Sequence, residues 1–100
     1  MQLPAGPEIE VEFISERKPN QRGFVEELDF DKKGFLFQQL EIPEPKSFRE
    51  EFRWELVRKW VNFDVVAEIR FLPPGTLAAQ LRYQEELHRK LQEGLRGQKE

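Results

Sequence analysis

The 100-residue sequence lacks cysteine altogether and has one histidine and one methionine. Without cysteine there can be no disulfide framework and no thiolate-ligated zinc or iron–sulfur site. The sequence has two serines and one threonine, and it contains no nucleophile elbow, P-loop or Gly-x-Gly-x-x-Gly motif. We therefore predict a protein that is not an enzyme, with no catalytic residues, no metal ligands and no cofactor.

Long apolar runs and a strong excess of one charge are also missing. No window approaches the roughly 18 apolar residues of a membrane span, and the N-terminus has no signal-peptide pattern. These features predict a cytoplasmic protein without membrane contact. The net charge of −3 argues against a strongly basic protein that coats nucleic acid. Scarce serine, threonine and asparagine beside 35% charged residues are typical of a thermophilic source, although the eight glutamines are not.

Aromatic residues are abundant by comparison. Nine phenylalanines and a hydrophobic fraction of 38% supply enough apolar surface for one core. We expect a single domain over residues 8–95. An irregular lead-in (1–7) precedes it, and a polar C-terminal tail (96–100) follows it.

Alternation of apolar and charged residues predicts strands. It is strict at the start of Glu8–Arg17, and it recurs in Phe24–Phe30 and Phe35–Ile42. Between the last two, residues 31–34 predict a tight hairpin in which Gly34 adopts a positive φ.

The second half of the chain predicts two helices around a strand. Ser47 and Glu50 form a capping-box pattern for a first helix that runs to about Val61. Phe63–Leu72 alternates as a strand, and Thr76 is positioned to cap a second helix over Leu77–Leu95.

The resulting order is β-β-β-α-β-α. It predicts a two-layer α+β fold with a four-stranded, mainly antiparallel sheet and both helices on one face. The first helix would carry the chain across, so that the fourth strand lies parallel to the third. The strand order and the sheet face that the helices cover stay open.

Two motifs around the predicted hairpin suggest ligands. Asp29–Gly34 begins like an EF-hand loop, but Lys33 occupies a ligand position, and a hairpin turn explains the segment better. Residues 33–40 partly resemble the RNP1 strand of RRM domains, in which exposed aromatics stack on bases. The matching residues are Lys33, Gly34, Phe35 and Phe37, whereas Leu36, Gln38 and Leu40 depart from the motif. This resemblance implies a divergent single-stranded RNA-binding module that uses Lys33, Phe35, Phe37 and Arg22.

Apolar residues without an obvious partner favour a different function. The third predicted strand is apolar on both faces at Phe35 and Phe37, Trp54 borders an apolar arc, and Leu87 and Leu91 lie in the distal half of the last helix. Large apolar side chains on a flat surface are typical of protein interfaces. The principal prediction is therefore a small non-enzymatic protein-interaction module of unknown biological role that forms a homodimer, with an unidentified protein as the alternative partner. Within the same helix, Glu85 and His88 have the Glu-x-x-His spacing of di-iron bundles, but one such pair falls far short of a metal site.

Overall fold

The computed structural model describes residues 3–43 and 50–97. Within these residues, one five-stranded antiparallel sheet is followed by one long helix. The elements are β1 (Glu8–Phe13), β2 (Gln21–Asp29), β3 (Gly34–Glu41), β4 (Glu55–Asn62), a 3-10 turn (Phe63–Val65), β5 (Val66–Phe71) and α1 (Thr76–Gly97).

The strands lie in the order β4-β3-β2-β1-β5. The first four strands form a meander, and β5 returns to pair with β1. Because β4 and β5 are the two edges of the sheet, the three-residue turn Phe63–Val65 connects opposite edges.

That short connection requires the sheet to curl. Edge strands separated by four inter-strand gaps would lie about 19 Å apart in a flat sheet. The four Cα steps from Asn62 to Val66 span at most about 15 Å even when fully extended. The edges therefore approach each other, and one face of the sheet is turned inward.

The inner face carries the main core. Alternation in β1 places Ile9, Val11 and Phe13 on this face, where each is at most 6% exposed. They form one buried cluster with Phe35, Phe37 and Val61, and residues of β2, β5 and the 3-10 turn pack against it. The inner face is thus buried largely by the side chains of its own strands.

Two glycines are needed where backbones approach closely. A Cβ atom on Gly23 would lie 2.0 Å from the carbonyl oxygen of Gln38 on the adjacent strand. A Cβ atom on Gly34 would lie 2.5 Å from the carbonyl oxygen of Val61. Larger residues at either position would push neighbouring strands apart.

The predicted hairpin between β2 and β3 is confirmed, but its backbone differs from the expectation. Asp29 Oδ1 accepts a hydrogen bond from Lys32 N at 3.0 Å and closes the turn. Lys33, with φ of 55°, adopts the left-handed conformation that was expected of Gly34. Gly34 is the first residue of β3, where the approach of β4 excludes a side chain.

The predicted fold class is wrong in its second half. Residues 55–62 form the edge strand β4, whereas the sequence interpretation placed a helix there, and Ser47 lies outside the described residues. In β4, Leu56 and Trp60 lie on one face while Val57 and Val61 lie on the other, as the pairing with β3 requires. Apolar pairs on both faces of a strand repeat at i and i+4, which also fits a helix.

The last strand and the last helix both form, with corrections. The predicted strand at Phe63–Leu72 begins with the 3-10 turn, and β5 lies antiparallel to β1 rather than parallel to the third strand. The helix is present, but Thr76 does not cap it through its hydroxyl, which instead donates to Pro73 O at 2.5 Å. No helix in residues 3–43 and 50–97 is long and apolar enough to cross a membrane.

Candidate interaction surface on the C-terminal helix

The helix α1 covers part of the outer face of the sheet. Leu77 and Leu81, one turn apart, are 0% and 7% exposed and pack with Phe24 and Leu40 from β2 and β3. Arg22 on the same outer face donates from Nη1 to Gln80 Oε1 at 3.1 Å. The first half of the helix is therefore held against the sheet by apolar and polar contacts.

A carboxylate from β1 fixes the start of the helix. Glu8 Oε2 accepts a hydrogen bond from Gly75 N, and Glu8 Oε1 accepts one from Leu77 N, both at 2.7 Å. These amides belong to the helix terminus, where N–H groups have no partner within the helix and negative charge is favoured. Glu8 thus supplies the cap that the sequence analysis assigned to Thr76.

Further along the helix, two side chains bond to the segment that precedes β4. His88, which is 8% exposed, donates from Nε2 to the carbonyl oxygen of Glu50 at 2.6 Å. Gln92 Nε2 donates to the same oxygen at 2.9 Å. The contact keeps residues 50–54 beside the distal half of α1.

The adjoining side of the distal half carries exposed apolar side chains. Tyr83, Leu87 and Leu91 are 65%, 42% and 43% exposed. Their i, i+4, i+8 spacing places them along one line of the helix, and we call them the α1 stripe. From Tyr83 to Leu91 this line extends over about 12 Å, or roughly two turns of the helix.

A groove borders the α1 stripe. It has a volume of about 210 Å³, and Leu87 and Leu91 form its helix wall. Ile42, Pro43 and Phe52 contribute to the opposite wall. The stripe and the groove together form a continuous, largely apolar surface.

Charged residues lie on the other side of the stripe. Glu86 and Lys90 are both exposed and lie four residues apart, so they occupy neighbouring turns of one flank. Glu86 Oε1 also lies 3.4 Å from Arg89 Nη2 of its own helix, an exposed and weak pair. An apolar line with a charged flank is the usual composition of a helix that packs against another helix.

The five predicted interface residues have different environments. Phe35 and Phe37 are 0% exposed on the inner face, so they offer no surface to a partner. Trp54 is partly buried against the cluster beneath α1. Leu87 and Leu91 are exposed and adjacent, and of the five they alone form a joint surface.

The residues proposed for RNA binding do not come together. Phe35 and Phe37 belong to the core, and Lys33 is exposed in the hairpin turn. Arg22 lies on the outer face, where its Nε donates to Glu10 Oε1 at 2.8 Å. The structure thus provides no exposed aromatic pair at the residues that match RNP1.

Sequence reasoning missed Tyr83, which is the most exposed member of the α1 stripe. The spacing from Tyr83 to Leu87 and Leu91 was a sufficient signal for it. The leucines alone do not define one side of the helix, because Leu77 and Leu81 are buried whereas Leu87 and Leu91 are exposed.

The outer face beyond α1 is covered by ion pairs. Glu10 accepts hydrogen bonds from Arg22 and from Arg70, whose Nη2 lies 2.8 Å from Glu10 Oε2. Arg22, and to a lesser extent Arg70, holds the pKa of Glu10 below its ordinary value. Glu26 forms a bidentate ion pair with Arg58, and both nitrogen–oxygen distances are 2.9 Å. No group of three metal-ligating side chains occurs in the described part of the chain.

Comparison of the chain with protein-family models, with curated proteins and with solved structures finds no match. Any assignment of function therefore depends on the surfaces described above.

Proposed function

We propose that this chain is a small non-enzymatic protein-interaction module of the cytoplasm that forms a homodimer through α1. The observation that carries the proposal is the α1 stripe, in which Tyr83, Leu87 and Leu91 are each more than 40% exposed along one line of the helix. Water contact at three large apolar side chains is unfavourable, and burial against a partner recovers that free energy.

The composition of the stripe suits an interface. A tyrosine between a groove and a charged flank combines apolar area with a polar hydroxyl, as is common at the centre of interfaces. Since the distal half of α1 is already held by His88 and Gln92, little ordering is required on association.

The charged flank favours a second copy as the partner. Antiparallel pairing of two identical helices reverses the order of residues on the facing flank. Glu86 of one copy then lies near Lys90 of the other, and the two-fold axis forms this pair twice. The apolar stripes meet in the same arrangement, with Leu87 close to the axis.

Light scattering coupled to size exclusion tests the proposal. We expect the wild-type protein to have twice the chain mass, and Leu87→Glu to be a folded monomer. Ile14→Glu is the matched control, because Ile14 is 62% exposed and lies in the loop after β1, away from α1. This control should stay dimeric.

A charge reversal distinguishes a second copy from another partner. Glu86→Lys should weaken the dimer, and addition of Lys90→Glu in the same chain should restore it, because the pair is then re-formed with exchanged signs. A monomeric wild type, or a dimer that both Leu87→Glu and Glu86→Lys leave unchanged, contradicts the proposal.

A further inference from the structure

A lysine on the inner face lies among groups that do not neutralise it. Lys59 is on β4, directly opposite Phe37 of β3, and is partly buried. Its Nζ donates hydrogen bonds to Gln39 Oε1 at 2.6 Å and to Gln21 Oε1. Both acceptors are neutral amides, so neither of them neutralises the positive charge of the ammonium.

A second cation stands nearby. Lys18, in the loop after β1, places its Nζ 4.2 Å from the ring centroid of Phe13. Burial lowers the pKa of Lys59, and the positive charge of Lys18 lowers it further, whereas Glu41 has a weaker opposite effect. Within residues 3–43 and 50–97, no carboxylate oxygen lies within 4.0 Å of either ammonium nitrogen.

Hydrogen-bond donors predominate in this cluster. Gln21 and Gln39 bond to Lys59 through their amide oxygens, which leaves the NH₂ groups of the same amides as donors beside it. Lys59 uses two of its three N–H groups in these bonds. The cluster therefore offers two positive charges and several N–H donors at the edge of an apolar core.

We propose that Lys59, Lys18, Gln21 and Gln39 form a binding site for an oxyanion, the phosphate or carboxylate group of a small molecule. An oxyanion accepts several hydrogen bonds at once and supplies the negative charge that the two lysines lack. Partial burial strengthens these interactions relative to water. The site lies on the inner side of the sheet and α1 on the outer side, so it does not depend on the proposed dimer.

NMR titration of the wild-type protein tests the site. Side-chain amide signals of Gln21 and Gln39 are followed as sodium phosphate or sodium acetate is added, with sodium chloride at equal ionic strength as reference. We expect saturable shifts of both amide groups that chloride does not produce. A response to phosphate alone assigns a phosphate group, and a response to acetate alone assigns a carboxylate.

Three variants check the cluster. Lys59→Met retains the aliphatic stem and should weaken anion binding by at least about tenfold, since a charge-assisted hydrogen bond is lost. Lys18→Gln changes an exposed loop residue, so it preserves the fold and should weaken binding to a smaller extent. Lys33→Gln removes an exposed charge in the β2–β3 turn and should bind as the wild type does.

The outcomes are decisive. Absence of saturable shifts at Gln21 and Gln39 overturns the proposal. Equal binding by wild type, Lys18→Gln and Lys59→Met also overturns it, because the anion then binds elsewhere. If Lys59→Met fails to fold, a comparison of anion binding by Lys18→Gln and Lys33→Gln still decides whether the anion binds at this cluster.

Discussion

The two faces of this one sheet are buried in different ways. On the inner face, side chains from all five strands meet in a single cluster because the sheet curls. On the outer face, α1 covers the apolar region around Phe24 and Leu40, and ion pairs centred on Glu10 occupy part of the remainder. The inner face is thus built from long-range strand contacts, whereas the outer face depends on a helix attached through one of its sides.

This difference determines which large apolar side chains are exposed. On the face that is covered by its own strands, the central aromatic residues Phe35 and Phe37 are fully buried and offer no surface. A helix that covers a face with one side presents its other side to solvent. In this chain the part of α1 that is left exposed beside the sheet contact includes Tyr83, Leu87 and Leu91.

A substitution on the inner face should have the largest effect on the free energy of unfolding. Phe35→Ala removes a fully buried ring that packs edge-on against Phe37, with ring centroids 5.8 Å apart. We expect a loss of about 3–5 kcal/mol in the free energy of unfolding, measured by urea denaturation. Phe71→Ala is the matched control, because Phe71 is 76% exposed, and it should cost less than about 1 kcal/mol. Similar losses in the two variants would contradict the assignment of the core.

A smaller and local effect on stability is expected where Glu8 joins α1 to the sheet. Glu8→Ala removes both acceptors at the start of α1 and should cost about 1 kcal/mol. Hydrogen exchange should accelerate in the first turn of α1 while the amides of β3 are unchanged. Glu12→Ala, on the same strand and the same face, should leave α1 unaffected. Equal acceleration in both variants would show that Glu8 does not hold the helix.

Loss of the ion pairs on the outer face should have the smallest effect on stability. The pKa of Glu10 is lowered in the folded protein, so its contribution to stability is present above the ordinary value of 4.5 and is lost as the pH falls through the lowered value. Because both arginines are 40% exposed, we expect a contribution of about 1 kcal/mol or less. Glu10→Gln should flatten the acid limb of stability against pH, measured by thermal unfolding. An unchanged acid limb would contradict this role.

Sequence reasoning predicted β1 and missed β4, and the polarity of the faces of each strand explains the difference. β1 was predicted correctly because each of its faces has a uniform character, with Ile9, Val11 and Phe13 inside and glutamates outside. β4 was missed because Leu56 and Trp60 on one face and Val57 and Val61 on the other imitate a helical period. Its β-branched and aromatic residues were the signal that favoured a strand.

The candidate site could be predicted only in part. Leu87 and Leu91 were identified from their place in the helix. Which side of α1 faces the sheet depends on tertiary contacts of Leu77, Leu81 and His88, and these appear only in the folded structure. The cluster around Lys59 combines residues from three separate segments of the chain, so no local motif could indicate it.

Native-state hydrogen exchange of the Leu87→Glu variant tests the central difference between the two faces most directly. This variant is used so that dimerisation adds no protection to the helix. We predict that amides of β1 and β3 exchange through global unfolding, whereas amides in the distal half of α1 exchange through openings of clearly lower free energy. Equal free energies of exchange in α1, β1 and β3 would show that helix and sheet open as one unit and would contradict the account.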